Sequence, residues 1–90
     1  MKLLSTVEDI VTIPGRGTFL FPGLPMFDPE MPPTRVNDKI QLRTPDGHIR
    51  DTYIAGIAHA KTIEGSKYPI QLPPEITQAD VPTGTEVWLL

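Results

Sequence analysis

From Val7 to Ile13 the chain carries β-branched residues at Val7, Ile10, Val11, Thr12 and Ile13, then Pro14-Gly15-Arg16-Gly17, then the apolar run Thr18-Phe19-Leu20-Phe21. Branched side chains suit a pleated, half-buried surface. Pro14 fixes φ and the glycines tolerate positive φ, so the pattern predicts a strand, a reversal between Pro14 and Thr18, and a returning strand. Periodicity breaks over residues 21–33, a proline-rich stretch longer than most connections between strands. It resumes at Val36, where Asn37-Asp38 predicts a turn into a strand containing Ile40 and Leu42. Thr44-Pro45-Asp46-Gly47 places proline and glycine where a type I turn uses them, predicting a hairpin between Lys39–Arg43 and His48–Ile57 with Gly47 at positive φ. Tyr53, Ala55 and Ile57 then fall on one face. A helix over Ala55–Ile63 is the rival reading, weakened by Gly56 and the neighbouring β-branched residues.

Tyr68–Leu72 reads as a further strand, with Pro69 implying a sheet edge or a bulge. Thr77 is placed to cap a single helical turn that Pro82 cuts short. After Pro82-Thr83-Gly84 the run Thr85–Leu90 is again strand-like, with Trp88 read as core. About six short strands without long helices predict an all-β domain, a small antiparallel barrel closed or nearly closed.

Ninety residues make about one small domain. Seven glycines and eleven prolines add turns but stay below the roughly 25% that marks low complexity. A net charge of -3 argues against a general nucleic-acid binder, because such affinity comes from lysine and arginine neutralising phosphates. With no cysteine, packing and hydrogen bonds must hold the fold, which fits a cytoplasmic protein. Met1–Ser5 lacks the apolar core of a secretion signal, and no later stretch reads as a membrane span, so no membrane association is expected.

The run Glu8-Asp9 followed by Gly15-Arg16-Gly17-Thr18 resembles the opening hairpin of the second domain of elongation factor Tu and related translation GTPases. The similarity continues through Val36–Ile40, a shortened Gly56–Thr62, Ile70–Leu72 and Ile76–Val87, and so covers most of the chain in order. It implies a stand-alone β-barrel spanning residues 1–90. In that family this domain helps hold the aminoacylated end of transfer RNA, while nucleotide chemistry belongs to a separate domain. No Gly-x-x-x-x-Gly-Lys-Ser/Thr loop occurs here, so GTP hydrolysis is excluded. The resemblance carries over Glu8, Asp9, Ile13, Gly15, Phe19 and His59 as rim positions. Val11 stands where the family has an aromatic, Ala58 and Ala60 fall near its acidic and arginine positions, and Pro73 follows Leu72 where it has arginine. Those losses remove stacking and charged contacts on which RNA-end recognition depends.

Glu8 and Asp9, adjacent on a strand, point to opposite faces and make no paired-carboxylate site. Arg16 is either a solvated turn residue or an anion contact. His48 and His59 lack metal-ligand spacing, and no nucleophile–base pattern stands out, so no metal, cofactor or enzymatic activity is expected. The apolar residues Leu24, Met26, Phe27 and Met31 on the proline-stiffened loop are candidate anchors for a protein partner. The expectation is a noncatalytic binding module for a protein, with RNA or the transfer-RNA end as the alternative.

Overall fold

The computed structural model describes residues 1–24, 34–63 and 65–90, apart from the side chains of residues 60, 62 and 65–67. Among these residues the chain forms nine strands: β1 (Lys2–Thr6), β2 (Asp9–Ile13), β3 (Gly17–Leu24), β4 (Lys39–Arg43), β5 (Ile49–Tyr53), β6 (Gly56–Ile57), β7 (Ala60–Thr62), β8 (Gly65–Leu72) and β9 (Glu86–Leu89). A 3₁₀ turn, Gln78–Asp80, is the sole helical element described. The all-β expectation holds and the rival helix over 55–63 is absent. The count of about six strands is too low, because the sequence reading missed β1 and took bent segments as single strands.

All described pairings are antiparallel. They make one sheet in the order β1-β9-β4-β5 and another in the order β2-β3-β8-β6, with β7 also on β8. No described strand pair joins the two ladders. The chain passes between them four times, twice through tight corners. At Val7-Glu8, the Val7 N–H donates to Thr85 O (2.8 Å) and the Glu8 N–H to Phe21 O (2.9 Å). At Ile54-Ala55, the Ile54 N–H donates to Asp38 O (3.0 Å) and the Ala55 N–H to Gln71 O (2.9 Å). Each corner satisfies its backbone groups on both sheets, as burial requires.

One core lies between the sheets. Leu4, Ile40, Leu42 and Val87 come from the first, Leu20, Ile70 and Leu72 from the second, Val7 and Ile54 from the corners, and Ile76 and Val81 from the segment beside the 3₁₀ turn. Period-two alternation explains the selection: Ile40 and Leu42 point inward while Lys39, Gln41 and Arg43 point out.

Turn chemistry sets the hairpins. The Arg16 N–H donates to Ile13 O (2.9 Å), with Pro14 second in the turn and Gly15 third at φ +80°, a type II arrangement. The Gly47 N–H closes the next turn on Thr44 O (3.0 Å), with Gly47 at φ +94° as expected. Asn37 takes φ +77° at the entry to β4, where its short polar side chain tolerates the left-handed region. A Cβ on Gly47 would meet nothing within 4 Å, so its substitution isolates the conformational term. Gly47→Val is expected to lower stability by about 1 kcal/mol or more in urea unfolding. An unchanged midpoint would show that the turn relaxes freely.

Two expectations need correction, and one resolves between its alternatives. The β4–β5 hairpin ends at Tyr53, not Ile57, because the corner at Ile54 sends Gly56-Ile57 to pair with β8. Tyr53 is therefore exposed, and it does not share a core face with Ile57. Of the two settings expected for Pro69, the structure shows the bulge and not the edge: β8 lies between β3 and β6, and Pro69 faces the bulge in β3, where Tyr68 pairs with both Gly23 and Leu24. Its missing N–H falls where the ladder is already interrupted. Trp88 is not core: Val87 takes the inward position, leaving the indole half-buried on the outer face.

Candidate functional site

The outer face of the β2-β3-β8 sheet gathers part of the expected rim. In register, Val11 lies opposite Phe19, which lies opposite Gln71, while Ile13 faces Gly17 and Asp9 faces Phe21. Asp9, Val11 and Ile13 thus share one side of β2, the side away from Ile10 and the core. Val11 and Ile13 are each 40% exposed, whereas Phe19 is nearly buried. The turn adds Gly15 and the exposed Arg16, whose carbonyl accepts a bond from Gln71 Nε2. This bond ties the turn to the middle of the sheet and fixes the end of the apolar strip.

Other rim residues lie apart. Glu8 sits exposed in the corner before β2, and Asp9 Oδ1 accepts the N–H of Ile10 (2.9 Å), a local bond that leaves the carboxylate on the surface. His59, between β6 and β7, stacks on Tyr68 with ring centroids 5.2 Å apart. Tyr68 pairs with Gly23 and Leu24, so this stack belongs to the end of the sheet opposite Ile13 and Gly15. The rim positions therefore divide between two ends of one sheet and form no single pocket.

Of the expected partner loop, Leu24 is half-buried, the last residue of β3, and packs in part against the core. Met26, Phe27 and Met31 lie outside the described residues.

The sequence reading missed a second surface. On the outer face of the β1-β9-β4-β5 sheet the Arg43 guanidinium lies 4.9 Å from the Trp88 ring centre, and Trp88 Nε1 donates to Glu86 Oε1 (3.1 Å). Arg43 Nε donates to Gln41 Oε1 (2.8 Å), and Gln41 Nε2 donates to Asp51 Oδ1 (3.0 Å). The signal was present in the alternation of β4: once Ile40 and Leu42 are inward, Gln41 and Arg43 must face whatever β9 presents outward.

Two carboxylates have lowered pKa values. The Thr44 hydroxyl, then His48, whose Nδ1 lies 3.0 Å away, hold Asp46 below its ordinary value. For Asp80 the Thr77 backbone N–H acts first and the Thr77 hydroxyl second, with Arg50 at 3.8 Å adding attraction. Because folding lowers both pKa values, each group stabilises the fold above the unfolded carboxylate value of 3.8, and that contribution is lost as pH falls through the lowered folded value. The melting temperature is expected to fall with pH below about 4, and an Asp46→Asn/Asp80→Asn protein should show a shallower acid decline. Parallel acid limbs in the two proteins would contradict the assignment. Both carboxylates are exposed, so the effect is small.

Scanned against protein-family models, curated proteins and solved structures, the chain matches none.

Proposed function

We propose that this chain is a noncatalytic binding module, a small antiparallel β-barrel similar to the second domain of elongation factor Tu, that docks a protein partner. The barrel reading draws support from the two corners and from the single core shared by both sheets. The binding reading is carried by one observation: Val11 and Ile13, both 40% exposed, lie side by side on the outer face of β2, next to Phe19. Exposed branched side chains over an aromatic support offer a partner an apolar anchor. The Met26-Phe27 segment is proposed as a second contact. A Val11→Glu/Ile13→Glu protein should keep its fold, since neither side chain belongs to the core, and lose about 1 to 3 kcal/mol of partner binding. Unchanged affinity in a titration against the purified partner would remove this face from the proposal.

The alternative, an RNA-end binder, is favoured by the stacked His59–Tyr68 pair, a flat aromatic surface of the kind that stacks bases. It predicts RNA affinity that falls with salt and weakens on Arg16→Ala.

A further inference from the structure

We propose that the free edge of β5 is a second docking site, which accepts an extended protein segment carrying a basic residue with apolar residues two positions to either side. The inference rests on the protein-binding reading but uses neither the β2–β3 face nor the residues that form it.

β5 ends its sheet. The Thr44 N–H donates to His48 O (2.9 Å) and the Ile54 N–H donates to Asp38 O (3.0 Å), one bond at each end of the hairpin. Antiparallel ladders alternate with period two, so Arg50 and Thr52, opposite Leu42 and Ile40, also turn their backbone groups toward β4. Ile49, Asp51 and Tyr53 consequently turn theirs outward, to the side where no described strand pairs with β5. The free edge spans roughly 17 Å at the usual rise of a strand. It is a template for one more strand.

The same three residues select the occupant. Ile49 is 63% exposed and Tyr53 41%, with Asp51 exposed between them, and the register puts all three on the outer face beside Arg43, Gln41 and Lys39. A strand added here meets an apolar, an acidic and an aromatic side chain in succession, each directly opposite one of its own residues. Asp51 repels an acid and leaves an apolar residue opposite a carboxylate, whereas a lysine or arginine completes an ion pair. The net charge of -3 also favours a basic segment. An open cavity of about 490 Å³ at the Tyr53 end, lined by Asn37, Lys39 and Leu90, gives room for one flanking apolar side chain.

A second copy of the chain fits less well. The antiparallel self-pairing that uses all three outward residues sets Ile49 against Tyr53 and therefore Asp51 against Asp51. Like charges directly opposite destabilise a ladder. Asp51 thus keeps identical edges apart while admitting a cationic strand.

The test is a nuclear magnetic resonance titration of the ¹⁵N-labelled protein with the capped peptide Thr-Val-Thr-Lys-Thr-Val-Thr. Controls are the same peptide with glutamate replacing lysine, and with N-methyl groups on the lysine and both valines. The lysine peptide should shift the amides of Ile49, Asp51 and Tyr53 and slow their hydrogen exchange. The glutamate peptide should bind about tenfold more weakly, Asp51→Lys should reverse that preference, and N-methylation should abolish the response. Shifts confined to other strands, equal affinity for the two charged peptides, or full binding of the N-methylated peptide would each overturn the proposal. So would a peptide-free dimer protecting the same three amides, which would assign the edge to a second copy. A Val11→Glu/Ile13→Glu protein should respond to the peptide as wild type does, so failure of the β2–β3 face leaves this edge standing, and the reverse also holds.

Discussion

Gly23→Ala is expected to lose about 3 kcal/mol or more of stability, a large share of the roughly 5 to 15 kcal/mol that holds a small domain together. A Cβ at Gly23 would sit 2.0 Å from Tyr68 O and 2.6 Å from Pro69 Cα, both backbone atoms of the central strand β8. The residue also stands at φ +83°, a region that side chains enter at a cost. Gly23 is therefore the point where the β3 bulge lets two backbones approach, and neither can retreat without breaking the ladder around Leu20 and Ile70. Gly15→Ala is the matched control: its φ of +80° is similar, but nothing lies within 4 Å of an added Cβ. Its cost should be the conformational term of about 1 kcal/mol. Urea midpoints for the two variants at equal slope measure the difference directly. Equal midpoints would show that the close approach is absent.

Ile54→Ala is expected to cost about 2 to 5 kcal/mol. Ile54 is fully buried, and its N–H and C=O are bonded to Asp38 and Asn37. It packs in the shared core at the point where the chain leaves one sheet for the other. The truncation would leave a cavity where the surrounding corner has little freedom to collapse, so the loss should exceed that of an exposed residue of the same type, such as Ile49→Ala. Ile49 is 63% exposed, and its substitution should change the midpoint by no more than about 0.5 kcal/mol. Similar losses at the two positions would contradict the corner as described.

Those two residues also show what the sequence made legible. Both hairpin turns could be read because glycine and proline have few other reasons to stand at Pro14-Gly15 and Pro45-Asp46-Gly47, and the inward pair Ile40 and Leu42 followed from simple alternation. Ile54 could not, because a corner changes which sheet a strand serves without changing its residue types. β1 was equally hidden: in Lys2–Thr6 only Leu4 is buried, so the segment lacks the run of inward side chains that announces a strand. Pro69 could be read only as far as an edge or a bulge, since the bulge that excuses its missing N–H lies in the partner strand β3.

The candidate site was legible in pieces. Glycine spacing and the acid pair pointed to the β2–β3 hairpin, and register then joined Asp9, Val11, Ile13 and Phe19 on one face. His59 was separated from Ile13 because sequence order gives no distance along a sheet. The outer faces of β4, β5 and β9 escaped notice altogether. Trp88 between Val87 and Leu89 looks like core until β9 is known to be covered on one side only.

The measurement that bears most directly on the binding account is a pull-down from native extract, with and without nuclease, using wild type, Val11→Glu/Ile13→Glu and Phe27→Ala proteins. The account predicts that wild type recovers the same protein partner with or without nuclease, and that recovery falls in both variants. Recovery that disappears on nuclease treatment, with RNA binding that falls with salt and is unchanged in the two variants, would contradict it and assign the module to RNA.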